Sequence, residues 1–265
     1  MKSSFLLLCT FLWPALAQDA APSPESLLRR AIEAQKVQDA KGWKFTWHED
    51  EDMFPADKNG KPLGKSYHHI YENIMLEGDN YRKLVLVDGK PPDAKMQKKI
   101  DAEMEKERAD RRAHPEYHHS SNTIHYGDTA TLERLFDNKV VGEEVVSGRK
   151  TWRIESEPKA DRKPANQEEN EFMAWLCTTW YDQQEGMLLK SLHILIHAMN
   201  IYRPGTEMEM EWGKHGDAWL LERQNHPYSM KAVLNSAQGV TRYRYYDYKK
   251  FEVESKIVES TAESK

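Results

Sequence analysis

Between Gly42 and Tyr248 the apolar positions recur mostly at every second residue, the period of strands with one face turned inward. Trp43, Phe45 and Trp47 fall on one face of a first run, and Tyr67, His69 and Tyr71 on one face of a second. The same alternation predicts strands at Tyr81 to Val87, Val140 to Val146, Thr151 to Glu157, Phe172 to Tyr181 and Met187 to Met199. It continues at Thr206 to Trp212, Ala218 to Gln224, Ser229 to Ser236 and Val240 to Tyr248. Asn59-Gly60, Asp88-Gly89 and Ser147-Gly148 lie at run ends, and these are the residues that tight antiparallel turns use. About ten strands with short turns and no alternating helices predict a mainly β chain with added helices (α+β), in which a meander closes or half-closes into a barrel.

Two segments change period. Ser23-Pro24-Glu25 supplies an N-cap, a proline in the first turn and an early acid, opening an amphipathic helix to about Val37. Leu27, Leu28, Ala31 and Ile32 form its apolar side, a stripe that needs a sheet or helix to cover it. From Asp93 to Ala113, bracketed by Pro91-Pro92 and Pro115, a highly charged helix roughly 30 Å long is predicted. Its stripe is thin (Met96, Ile100, Met104), with charge pairs such as Glu107 to Arg111 elsewhere. Two readings of it stand: a charged excursion held by its own pairs, or a lid whose methionines pack over an apolar cavity. Residues 158–170 lack periodicity and read as a surface loop, and the tail after Ser255 as frayed.

The first seventeen residues read as a secretory signal: Lys2, an apolar run from Phe5 to Trp13, then Ala15-Leu16-Ala17 before Gln18. The run is far shorter than the roughly 20 residues that cross a bilayer, and charges interrupt every later segment. Cleavage after Ala17 leaves residues 18–255 as one domain, 256–265 as a flexible tail, and places the product in the periplasm or outside the cell. The 43 acids against 38 lysines and arginines give a net charge of −5, which argues against nucleic acid as a partner.

Of the two cysteines, Cys9 falls in the signal, so Cys177 has no partner for a disulfide within the mature chain. Its apolar surroundings, Met173 to Trp180, predict a buried small hydrophobe and no reactive thiol. His114, His118, His119 and His125 cluster with Tyr117 and Tyr126, but their spacing fits no zinc template, and a solvated surface group is expected. His193 and His197 are expected on a half-exposed strand face, about 13 Å apart and too distant to share a metal. Nucleophile elbow, phosphate loop and dinucleotide fingerprint are all missing, and no catalytic residue, metal ligand or cofactor is assigned.

One feature exceeds what a sheet facing water needs. In Glu207-Met-Glu-Met-Glu-Trp212 the alternation is strict, and the strands at 172–181 and 191–199 are apolar on both sides. Ordinary core packing explains them; so does a cavity for an acyl chain, with Trp175, Leu192, Ile194, Ile196, Met208, Met210 and Trp212 as its lining.

Several stretches resemble a known group. Tyr81-Arg-Lys-Leu-Val with Asp88-Gly-Lys-Pro, a charged helix ending in Arg111-Arg112, Val141-Gly-Glu-Glu, Gly148-Arg-Lys-Thr-Trp-Arg-Ile-Glu155, Thr179-Trp-Tyr-Asp-Gln183 and Tyr246-Asp-Tyr-Lys-Lys-Phe251 are similar to uncharacterised bacterial secreted proteins. That group resembles LolA/LolB-type lipoprotein carriers and RseB-type envelope-stress sensors. The resemblance spans roughly residues 70–251 and implies an incompletely closed antiparallel barrel, an apolar concavity plugged by helices, and an envelope location. The helix at 93–113 is not part of the small-carrier pattern, and the carriers' functional arginine has no counterpart here, so no family binding residue transfers. The expectation is a non-catalytic carrier of an acyl chain or lipoprotein. Its rivals are a sensor or scaffold that binds another envelope protein through the charged helix and the aromatic strand Tyr243 to Tyr248, and a metal-dependent hydrolase.

Overall fold

The computed structural model describes residues 21–41, 44–57, 61, 63–114, 129–199, 202–231 and 236–251. The signal segment, Trp43, the Asn59-Gly60 turn, His118, His119, His125 and the tail after Ser255 lie outside them. Ten strands form one antiparallel sheet: β1 Phe45–Ala56, β2 Tyr67–Leu76, β3 Asp79–Val87, β4 Phe136–Val146, β5 Arg149–Pro158, β6 Trp175–Asp182, β7 Leu188–Leu195, β8 Glu207–His215, β9 Ala218–Lys231 and β10 Ser236–Lys250. The spatial order is β3-β2-β1-β10-β9-β8-β7-β6-β5-β4. Strands β4 to β10 thus run as one meander and β1 to β3 as another, joined where β1 pairs with β10. Edges remain at β3 and β4, so the barrel is not closed, as the resemblance implied.

Turn chemistry sets the hairpins. Ser147 (φ 49°) and Gly148 (φ 78°) both take the left-handed conformation, and a two-residue turn of that hand matches the twist of β4 and β5. Glu77 (φ 50°) and Gly78 (φ 91°) do the same between β2 and β3, at a position whose glutamate hid it from the sequence reading.

Four helices are present among the described residues. In α1, Pro24–Asp39, Ser23 Oγ accepts from Ser26 N at 3.2 Å, and Leu27, Leu28 and Ala31 are buried. These three pack on Ile154 of β5 and Tyr181 of β6. The short helices α3, Thr129–Leu135, and α4, Gln167–Phe172, were not anticipated. α4 begins inside the stretch expected to be a loop and ends at Phe172, which was expected to open a strand. Asn166 caps it by accepting from Glu169 N at 2.9 Å. One local capping residue turned a polar, proline-marked stretch into helix.

A second revision concerns the C-terminal strands. The predicted break between Gln224 and Ser229 does not occur, because His226 and Pro227 continue the ladder opposite Thr241 and Val240. The run expected from Ser229 to Ser236 instead straddles the end of β9 and the start of β10.

The charged helix α2, Ala94–Ala113, is capped by Asp93, whose carboxylate accepts from Met96 N at 2.8 Å. Of its stripe, Ile100 is buried, Met104 half-buried and Met96 exposed. It is fastened to the β2–β3 hairpin by Arg111, which is buried. That guanidinium donates to the carbonyls of Leu76 (2.9 Å), Asp79 (3.1 Å) and Asn80 (3.0 Å) and to Glu107 (2.8 Å). The helix is therefore an excursion clamped to a turn.

Removing one partner from such a buried network strands the others. Arg111→Ala is expected to lower the unfolding free energy by about 2 to 4 kcal/mol in urea titrations. Arg111→Lys should recover only part of it, because an ammonium cannot span three carbonyls with a fixed fork. Unchanged midpoints in both variants contradict the clamp.

Candidate ligand-binding face

Register places residues from every strand on one face. Directly opposed residues of antiparallel strands share a face, and one row runs Val140, Ile154, Thr179, Ser191, Met210, Gln224, Tyr243, Glu51, His69 and Val87 from edge to edge. This is the inner face, because α1 packs against Ile154 on it. Its character changes along the row. At the β4 end it is solid: Leu132, Leu135, Phe136 and Phe172 pack on Trp175, Cys177, Leu195 and Met208 in one buried cluster. The chain's own helices fill the place expected for a ligand.

At the other end, on β1 to β3 with β9 and β10, the inner residues are aromatic or charged and mostly half-buried. Tyr71 and Tyr245 stand opposite Glu49, and Tyr243 opposite Glu51. The rings of Tyr243 and Tyr245 stack with centroids 6.2 Å apart, and Tyr245 donates to Gln224 Oε1 at 3.2 Å. Both carboxylates are 6% exposed and share one guanidinium. Arg82 Nε donates to Glu49 Oε1 at 2.8 Å while Nη2 bridges Glu49 and Glu51. The guanidinium carbon lies over Tyr71, 3.3 Å from the ring centroid. His69 Nδ1 is 3.4 Å from Glu51 Oε1, and Asn73 donates to Glu49 Oε2 at 3.5 Å.

Burial acts to lower the Arg82 pKa, but hydrogen bonding and charge from Glu49, with Glu51 behind it, raise it overall. Burial pushes the Tyr243 phenol up to about 12 and raises that of Tyr245 as well, so both stay neutral donors. Trp47, two residues before Glu49 on the same face, has an indole N–H with no hydrogen-bond partner among the described residues. Two carboxylates, one guanidinium, an unmet donor and a wall of rings form an amphipathic surface, whereas the helices pack mainly on β4 to β7, with α2 held to the β2–β3 hairpin by Arg111 and α1 reaching Trp219 on β9.

The seven residues expected to line a cavity are not brought together. Trp175 and Met208 lie in the packed inner cluster, and Met210 is buried on the same face. Trp212 alternates with them and is half-buried. Leu192 and Ile194 are half-buried on the outer face, opposite Glu209 and Glu207. Ile196 lies beyond the end of β7, where its N–H donates to Ala174 O. None of the seven lines either of two grooves of about 430 Å3. One lies between α1 and the β8–β9 turn, with Ala34, Val37, Met187 and Trp219 in its lining. The other lies on the outer face.

His193, expected to be half-exposed, is 2% exposed, and Cys177 Sγ sits 3.4 Å from its Nδ1. Such a pair is the geometry of a nucleophile and its base. Its setting disarms it: burial pushes the imidazole down to about 4 and the thiol far up, so both are neutral among Phe172 and Trp175. The aromatic strand offered as a protein interface is β10, whose edges both pair with β1 and β9, so it presents only its faces, on which Arg242 and Arg244 are exposed.

No protein-family model and no curated protein matches the chain. Solved structures do show similarity. A LolA superfamily protein from Nitrosomonas europaea is 11% identical over 89% of this chain and 97% of its own, with a TM-score of 0.34. A DUF1329 family protein from Desulfovibrio piger is 11% identical over 85% of this chain and 92% of its own, also at 0.34. The MucA/MucB complex of Pseudomonas aeruginosa matches at 9% identity, over 86% of this chain and 99% of its own, at 0.26. The first is a LolA superfamily protein, one of the groups that the sequence resembles.

Two outcomes follow from the buried pair. A neutral imidazole with a depressed pKa binds fewer protons folded than unfolded, so stability must fall as pH drops from about 6.5 towards 4. Between pH 7 and pH 4.5 the shift corresponds to a loss of about 2 kcal/mol, measured as the difference between urea unfolding at the two pH values, and smaller in His193→Gln. A flat profile contradicts it. Iodoacetamide should label Cys177 only as fast as the chain unfolds globally, and prompt labelling of the native protein would show the thiol to be accessible.

Proposed function

We propose that this chain is a non-catalytic binding protein of the cell envelope whose inner sheet face, on β1 to β3 with β9 and β10, receives an amphipathic ligand bearing an acyl chain, either a lipid or a lipoprotein. The observation that carries this reading is the change along the inner row, from helix-packed core at β4 to β8 to half-buried rings around a charged cluster at β1 to β3. Rings of tyrosine and tryptophan offer large apolar contact with a polar tip, suited to a ligand with both characters. The Glu49–Arg82–Glu51 cluster and the unmet Trp47 N–H supply anchors for the polar end. The secretory signal expected at residues 1–17 and the resemblance to lipoprotein carriers support the location and the ligand class. The inert state of the Cys177–His193 pair supports a role without chemistry.

The binding surface lies beside the methionine-rich strands and not on them. Those strands are the foundation, and the neighbouring half of the same face is the site.

The test is titration of the purified chain with a dansyl-labelled long-chain fatty acid, with native mass spectrometry of protein isolated from an envelope fraction. Saturable binding is expected, weakened at least tenfold in the double variant Tyr71→Ala, Tyr243→Ala, while Met208→Leu in the packed cluster retains it. Circular dichroism controls for folding. Absence of binding by the unmodified chain, or equal loss in Met208→Leu, contradicts the proposal.

A further inference from the structure

The outer face carries a second constellation that the proposed ligand site does not use. We propose that His68, Asp50 and Asp52 form a binding site for a divalent first-row transition metal of the zinc or manganese kind. Asp52 on β1 stands directly opposite His68 on β2, and Asp50 lies two residues along β1 on the same side. One donor atom from each residue lies within 4.8 Å of the other two. The closest pair is His68 Nε2 and Asp50 Oδ1, at 2.6 Å. Donors bonded to one such ion at about 2.0 to 2.2 Å sit somewhat closer together than that outer limit, so modest side-chain rotation completes the site.

A second observation points the same way. Asp52 is half-buried yet has no hydrogen-bond or ion-pair partner among the described residues. The cation opposite it, Arg242, lies with its guanidinium over the Phe54 ring, 4.7 Å from the centroid. Arg244, next along β10, instead donates to Asp50 Oδ2 at 2.7 Å. That contact takes the oxygen facing away from His68 and fixes the carboxylate, the role that outer partners play for metal-binding carboxylates. A half-buried carboxylate beside an imidazole, with its natural counter-charge turned aside, is short of one positive group.

The donor set selects the class of ion. One imidazole with two carboxylates suits zinc, manganese, iron or cobalt, whereas calcium takes six to eight oxygens and has no use for the ring. Asp50 and Asp52 also line the outer-face groove of about 430 Å3, in which four carboxylates face three guanidiniums. Lys190 meets Glu209 at 2.8 Å and Glu211 at 3.5 Å, so these two carboxylates are neutralised and Asp52 is the carboxylate of the groove left without a cation among the described residues, with open coordination positions for water.

The experiment titrates the purified, chelator-treated chain with Zn2+ by calorimetry. One site is expected that His68→Ala abolishes and Asp52→Asn weakens at least tenfold. His215→Ala, whose ring meets Glu222 at 3.1 Å elsewhere on the sheet, should leave it unchanged. To separate a lost ligand from a perturbed sheet, Mn2+ is added in parallel to the unmodified, isotope-labelled chain, where amide signals around residues 50–52 and 68 should broaden first. Zinc binding that survives both His68→Ala and Asp52→Asn, or broadening centred elsewhere, overturns the site, as does absence of binding at millimolar Zn2+.

Discussion

Both faces of this sheet exist as continuous surfaces because β1 lies beside β10. The ion pair between Arg244 and Asp50 joins residues 194 positions apart, and closing so large a loop costs entropy that local hairpins do not incur. The seam offsets it with a register from Phe45 opposite Lys250 to Ala56 opposite Gln238. Ring contacts add to it, with Trp47 at 5.9 Å from Tyr248 and His48 stacked at 5.5 Å on Tyr246. Without that seam, Glu51 would not face Tyr243, and Asp50 and Asp52 would have no arginines opposite them. The meander from β4 to β10 would end in an open edge.

The inner face shows how one sheet divides its labour. On β5 to β8 the residues that alternate inward meet helices that bury them, and a buried Leu, Phe or Met contributes of order 2 kcal/mol. Towards β1 the same alternation brings in Glu49 and Glu51, whose desolvation is tolerable only because Arg82 serves both. Removing Arg82 would leave two nearly buried like charges, a loss of several kcal/mol, so the cluster is as structural as the core beside it. The same arrangement makes it usable: charge, donors and rings sit where the helices do not. A purely apolar surface of that size left open would invite aggregation.

Local periodicity carried most of the fold. Alternation placed a run on each of the ten strands and one too many across the end of β9 and the start of β10, the Ser23-Pro24 signal and the Pro91-Pro92 bracket opened α1 and α2 where they begin, and Ser147-Gly148 marked a hairpin. What periodicity lacks is partner identity. Met208 and Trp175 alternate as cavity residues would, and only α3 and α4, seven and six residues long with weak signals, decide that they are core. His193 read as half-exposed because its strand alternates with Leu192 and Ile194, and nothing local says which side is covered. The proposed binding surface was written as His69 and Tyr71, Glu49 and Glu51, and Tyr243 and Tyr245, three alternating pairs in plain view. Their meeting depends on the β1–β10 seam, a non-local pairing that propensity does not encode.

The central claim is that a guest molecule lies on the β1 to β3 half of the inner face, and where it lies can be read directly. Palmitic acid carrying a diazirine near the end of its chain, bound to the chain and photolysed, leaves adducts that peptide mass spectrometry locates. The account predicts adducts on peptides from β2, β3 and β10, at Tyr71, Leu84, Tyr243 or Tyr245. Adducts confined to the groove between α1 and Trp219, or to the peptides of β6 to β8, contradict it.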